Sequence, residues 1–217
     1  MLTALTIAAA VSALLAITAE SAGTERHKAF YVLKPLTTLL ILGMALCGPE
    51  GDYRTAVAIG LVLSMLGDIC LMFAGNAWFL GGLGNFLIAH FLFVWAYAEG
   101  LSSYGVPVWC WAGVVYGLGF FAWLLPKTGS LKGPVLVYGL ALMGMVLAAS
   151  ARWQANPNLG TELAMLGAFI FMVSDSALAV RQFSGAYRGA QPLILSTYWL
   201  AIGLIALSVT LEVSAAT

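Results

Sequence analysis

Eight apolar runs, each about the length that crosses a bilayer, occupy this chain almost from end to end. They are Leu2–Ala19, Ala29–Cys47, Thr55–Phe73, Phe79–Ala98, Val106–Leu124, Pro134–Ala151, Thr161–Val180 and Pro192–Leu211. A hydrocarbon core takes about 20 apolar residues per helix, so eight crossings use roughly 160 residues and leave roughly 57 for the connections and ends. Continuous apolarity, with no alternation of inward and outward positions, argues against a transmembrane β-barrel. The expected fold is therefore all-α: a polytopic transmembrane bundle of eight helices, forming a single integral membrane domain over residues 1–217.

Composition agrees with this reading. Only 8% of residues are charged and 62% are hydrophobic, whereas soluble domains carry roughly 25% charged residues. Nine basic and nine acidic side chains cancel, so nucleic acid is not an expected partner, because no cationic face is left to release counterions. Cys47, Cys70 and Cys110 are isolated and read as small core residues. The first run ends in the small residues Thr18, Ala19, Ser21 and Ala22, as a secretory leader would. It lacks a basic leading region and is long enough to span, so it is read as the first helix.

The breaks between runs are chemically distinct. Glu20 and Thr24–Lys28 bring charge; Gly48–Asp52 combines Gly, Pro and acid; Pro126–Gly133, Asn156–Asn158 and Ser184–Gln191 are polar or turn-forming. Arg26, Lys28, Lys127, Lys132, Arg181 and Arg188 fall in the odd-numbered loops, against Arg54 and Arg152 in the even ones. The positive-inside rule then puts the odd loops in the cytoplasm and both termini on the non-cytoplasmic side. Trp78 and Trp123 mark one interface, and Trp109, Trp111 and Trp153 the other. A shift of 107 residues lays Gly60 on Gly167, Gly67 on Ser174, Asp68 on Asp175 and Leu71 on Leu178. That match predicts two parallel four-helix repeats in which helices three and seven are equivalent.

Polar groups inside the spans carry the functional signal. Asp68 lies thirteen residues into run three, counted from Thr55, and Asp175 fourteen into run seven, counted from Thr161. Both runs head the same way, so the two carboxyls are expected at one depth, in the cytoplasmic half. Lys34, His90 and Tyr198, with Asn85 and Ser64, fall near that level on other helices. A charge in the bilayer centre costs about 2.5 to 3.5 kcal/mol on insertion scales, so such residues face a bundle interior or a wet cavity. Interhelical glue is the bland reading: Lys34 pairs with one acid, and the other is protonated.

The chemical reading starts from two buried carboxyls that resist joint ionisation while Lys34 holds one of them charged, leaving an acid beside a base. This pair suits cleavage of an acid-labile C–O bond. A neutral acid delivers a proton, a carboxylate stabilises the cation, and water is deprotonated as it attacks. With His27 as the only other histidine, His90 cannot be part of a multi-His zinc site. Ser64 and Ser174 lack the G-x-S-x-G elbow and are read as packing or substrate-facing hydroxyls. Phe86, Phe91, Phe93 and Trp95 are read as packing or lipid-facing residues. Next to Pro35, Lys34 is expected to snorkel towards the cytoplasmic headgroups, where phosphate is its natural partner. The same carboxyls would also serve a proton-coupled transporter of lipids or small molecules.

Five blocks in order bear a further likeness: KPLTT at 34–38, GLVLSMLGDICL at 60–71, FLGGLGNFLIAHFLF at 79–93, GAFIFMVSDSAL at 167–178 and TYWLA at 197–201. Together they resemble the YhhN-type membrane family, the lysoplasmalogenases, over nearly the whole chain. The resemblance implies a multi-pass bundle in the cell (inner) membrane that hydrolyses the sn-1 vinyl ether of a lysophospholipid, lysoplasmalogen. The products would be a fatty aldehyde and a glycerophospho-alcohol. It also implies that the catalytic acids fall on Asp68 and Asp175, and that Lys34, His90 and Tyr198 occupy family positions. Ser64, Asn85 and Ser174 complete the expected substrate-binding set, and no organic cofactor or metal is expected. One departure is Ile202, where relatives continue the last block with Gln.

Overall fold

The structure, a computed structural model, describes residues 1–21, 24–99, 101, 105–108 and 110–211, and the side chains of all these except 21 and 24–27. The described residues form eight α-helices and no strands: α1 Leu2–Ser21, α2 Thr24–Ala45, α3 Asp52–Cys70, α4 Asn76–Ala98, α5 Cys110–Leu124, α6 Lys132–Ala155, α7 Leu159–Ser184 and α8 Ala190–Thr210. All eight belong to segments long and apolar enough to cross a membrane. The protein is a multi-pass helical membrane protein. Trp109 and the side chains of Arg26 and His27 lie outside the described residues.

Helices outrun their apolar stretches where the flanking residues are good helix formers. α2 starts at Thr24 rather than Ala29, and α7 continues to Ser184 rather than Val180. Glu, Arg, Lys and Gln propagate helix about as well as Leu, so the loss of apolarity marks an interface, not a helix end. Pro35 consequently sits inside α2. At the start of α7, Asn158 accepts from the Thr161 amide while the Thr161 hydroxyl accepts from the Asn158 amide. This capping box satisfies two groups that helix geometry leaves open. The expected break at 126–133 holds two short 3-10 turns, Leu125–Lys127 and Gly129–Leu131.

Small residues line the seams between helices. Ala56, Ala89, Ala96, Ala149, Ala164, Ala168, Ala201 and Ala206 are fully buried, letting backbones approach where apolar side chains gain nothing over lipid. A Cβ on Gly60 would stand 2.5 Å from the Phe93 ring of α4, and one on Gly167 would stand 2.8 Å from the Ala201 carbonyl oxygen of α8. These two glycines are equivalent under the 107-residue shift, and their partners nearly so. Likewise α3 packs on α4 as α7 packs on α8, while α2 contacts α3 and α8 as α6 contacts α7 and α4. The halves differ at their outer helices: α1 lies along α2, whereas α5 touches α6 and α7 only lightly. Of the tryptophans expected at the interfaces, Trp78, Trp111 and Trp123 are exposed, whereas Trp153 is half-buried against the core.

Candidate active site

Lys34 and Thr38 are one helical turn apart on α2, so both side chains leave the same face. That face meets the end of α3, two residues before Cys70, where Asp68 is buried. Lys34 Nζ lies 3.1 Å from Asp68 Oδ1 and also donates to the Asp68 carbonyl oxygen at 3.2 Å. Thr38 Oγ1 and Tyr198 Oη of α8 donate to Oδ2 at 2.9 and 2.8 Å. Three side chains thus satisfy this carboxyl. Lys34 does not snorkel as expected: the Asp68 charge and two acceptors hold it inward, and its side chain is only 7% exposed.

Asp175 is set differently. Tyr138 Oη of α6 donates to its Oδ2, and among the described residues no cation lies within salt-bridge distance of it. Unlike Asp68, it is only partly buried, because its side chain opens into space between the helices.

Both carboxyls line one cavity. Its walls include Lys34, Asp68, Ser174, Asp175, Arg181, Gln191 and Tyr198, with Leu71 and Phe86. Leu71, Phe86, Asp175 and Leu178 also border a second space, an apolar groove between α4, α5, α6 and α7. Tyr116, Phe120 and Phe121 of α5 and Val135 and Leu142 of α6 form its walls, and Asp175 is its one charged residue. A polar chamber with two acids therefore adjoins an apolar slot, and Asp175 stands at the junction. No group of three or more His, Cys, Asp or Glu side chains converges among the described residues. The available chemistry is that of carboxyl, hydroxyl and cationic groups.

Comparison with known proteins adds to this geometry. The YhhN family profile matches residues 29–209. The chain belongs to the YhhN family. It is 34% identical over 178 residues to the bovine (Bos taurus) protein named lysoplasmalogenase TMEM86A, covering 77% of this chain and 69% of that one. Against human (Homo sapiens) lysoplasmalogenase TMEM86B it is 31% identical over 180 residues, covering 82% and 74%. A protein of Mycobacterium bovis named lysoplasmalogenase is 31% identical over 173 residues, covering 76% and 63%. No solved structure matches.

Of the site residues expected in this YhhN-family chain, Lys34, Asp68, Ser174, Asp175 and Tyr198 border the shared cavity. Ser174 Oγ donates to the Ile194 carbonyl and so ties α7 to α8. Three expected residues lie elsewhere. Asn85 donates to Gly81 one turn back in α4 and does not border the chamber. Ser64 and His90 are fully buried without hydrogen-bond partners; the imidazole is enclosed by the Tyr138 and Phe171 rings, with centroids at 5.0 and 4.9 Å. Phe86, read as a packing residue, borders both spaces, whereas Phe91 and Trp95 are exposed and Phe93 is buried. Thr38 and Tyr138 were missed. Thr38 was legible one turn after Lys34; Tyr138 stands in an apolar run with no local mark of its role.

Proposed function

We propose that this protein is an integral membrane hydrolase that cleaves the sn-1 vinyl ether of lysoplasmalogen, releasing a fatty aldehyde and a glycerophospho-alcohol. The observation that carries the reading is the junction of two carboxyls in one cavity with an apolar groove; the names of the family relatives supply the bond. The alkenyl chain lies in the groove and its ether oxygen at the level of Asp175. Both termini face the non-cytoplasmic side of the cell (inner) membrane, and the acids approach the cytoplasmic face.

The two carboxyls divide the work by their surroundings. Asp68, with a cation and two hydroxyl donors, is the standing carboxylate. Among the described residues Asp175 has one hydroxyl partner and no cation within salt-bridge distance, and an unpaired buried charge is costly, so it holds a proton. It delivers that proton to the β-carbon of the vinyl ether, giving an oxocarbenium ion stabilised by the Asp68 carboxylate. The Asp175 carboxylate then takes a proton from the water that attacks the adjacent carbon. The resulting hemiacetal collapses to aldehyde and alcohol, and one water is consumed. Tyr138 orients Asp175, and Tyr198 with Thr38 orients Asp68.

Purified protein in detergent is incubated with lysoplasmalogen and with an ester lysophospholipid, and the products are read by mass spectrometry. Aldehyde from the first substrate alone is expected. Asp68→Asn and Asp175→Asn should each abolish it while the melting transition persists; full activity in either variant removes the acid pair from the mechanism. Passage of intact lipid into sealed vesicles with no covalent change would identify a transporter instead.

A further inference from the structure

Resting on the hydrolase reading above, we infer that Arg181 and Gln191 form the subsite for the phosphodiester of the lysolipid headgroup, the role expected of Lys34 from the sequence. Charge within the chamber points there first. Lys34 is consumed by Asp68 at 3.1 Å, so it offers no net positive charge to a ligand. Arg181 also borders the chamber, and among the described residues no carboxylate lies within salt-bridge distance of it. Its Nη1 donates to the neutral Oε1 of Gln191. That contact positions the guanidinium without neutralising it, and Gln191 borders the same chamber. A guanidinium fork beside an amide N–H2 matches the oxygens of a phosphodiester.

Distance along α7 agrees. Asp175, Leu178 and Arg181 all border the chamber, and six residues of α-helix advance about 9 Å. In a lysoplasmalogen, seven bonds separate the vinyl β-carbon from phosphorus. At about 1.25 Å of advance per bond they span about 9 Å. A lipid protonated at Asp175 therefore carries its phosphate to Arg181, with its chain in the groove that meets the chamber at Leu71, Phe86 and Asp175. If Arg181 served only as a basic residue in the last turn of α7, facing that helix's carbonyl end, its loss would not distinguish phosphorylated from phosphate-free ligands.

Binding to the full chain in detergent tests this without chemistry, using a saturated 1-O-alkyl lysophospholipid, which has no vinyl ether to hydrolyse, and the matching 1-O-alkylglycerol, which lacks the phosphate. Wild type should bind the phosphodiester on the order of 20-fold more tightly, the scale of one charge-assisted forked contact. Arg181→Gln should bring that ratio within about 3-fold, and Arg181→Lys should fall between, since a point charge lacks the fork. A ratio retained in Arg181→Gln overturns the inference, as does equal loss of both ligands. Inorganic phosphate alone displacing the lipid at equal affinity would mark a free-anion site and overturn it too. Should Arg181→Gln fail to fold, Gln191→Leu is measured in its place, with a smaller fall in the ratio expected and an unchanged ratio counting against the subsite. Aldehyde release by wild type is scored separately: its absence sinks the hydrolase reading while the binding ratio still judges the subsite.

Discussion

Replacing Lys34 by Met separates a buried counter-ion from a headgroup ligand. Its Nζ lies 3.1 Å from Asp68 Oδ1, and the two side chains are 7% and 3% exposed. Two unit charges at that distance attract by about 5 kcal/mol at an effective dielectric constant near 20. Removing the lysine also removes its own desolvation cost, and Thr38 and Tyr198 still donate to the stranded carboxylate. The net loss expected is about 3 kcal/mol, at the low end for breaking a buried pair. That is roughly two decades in the folding equilibrium. The assay is a double-mutant cycle of Lys34→Met, Asp68→Asn and the pair, with unfolding followed in mixed micelles. Non-additivity of about 2 kcal/mol is expected, because the double variant strands no charge. Additive losses would refute the pairing. A rise in KM for the phospholipid with unchanged stability would return Lys34 to the headgroup.

Two other outcomes follow from the packing. Tyr138→Phe removes the one hydroxyl held against Asp175 among the described residues, so kcat for aldehyde release should fall about 10- to 100-fold with KM little changed, and steady-state kinetics at fixed detergent check it. An equal effect on KM would point to substrate contact instead. Gly167→Ala sets a methyl 2.8 Å from the Ala201 carbonyl oxygen, whereas at Gly84 nothing lies within 4 Å. The first should cost about 1 to 3 kcal/mol of stability and the second nothing measurable, by thermal melting of each variant.

Much of the architecture was legible because the bilayer imposes a simple rule on sequence: spans must be apolar and long. Eight runs became eight helices, and the exceptions lay at helix ends, where Thr24–Lys28 and the mostly polar Arg181–Ser184 are helical. The aspartates stood out for the converse reason, since an acid inside an apolar run needs company. That Asp68 and Asp175 share a level was readable, since both line one cavity; direction was not. A helix rotates each residue by about 100°, and Asn85, His90 and Ser64 do not border the chamber.

The order of apolar runs and the shared level of Asp68 and Asp175 follow from the sequence by itself, because both reflect how far along a helix a residue lies. Only the assembled bundle decided which groups share a chamber, that Lys34 faces Asp68 rather than a headgroup, and that α5 walls an apolar groove bordered by Asp175. Those outcomes depend on rotation about each helix axis and on how closely neighbouring axes approach. Rotation and approach are set by interlocking small residues on different helices, which no single run of sequence contains.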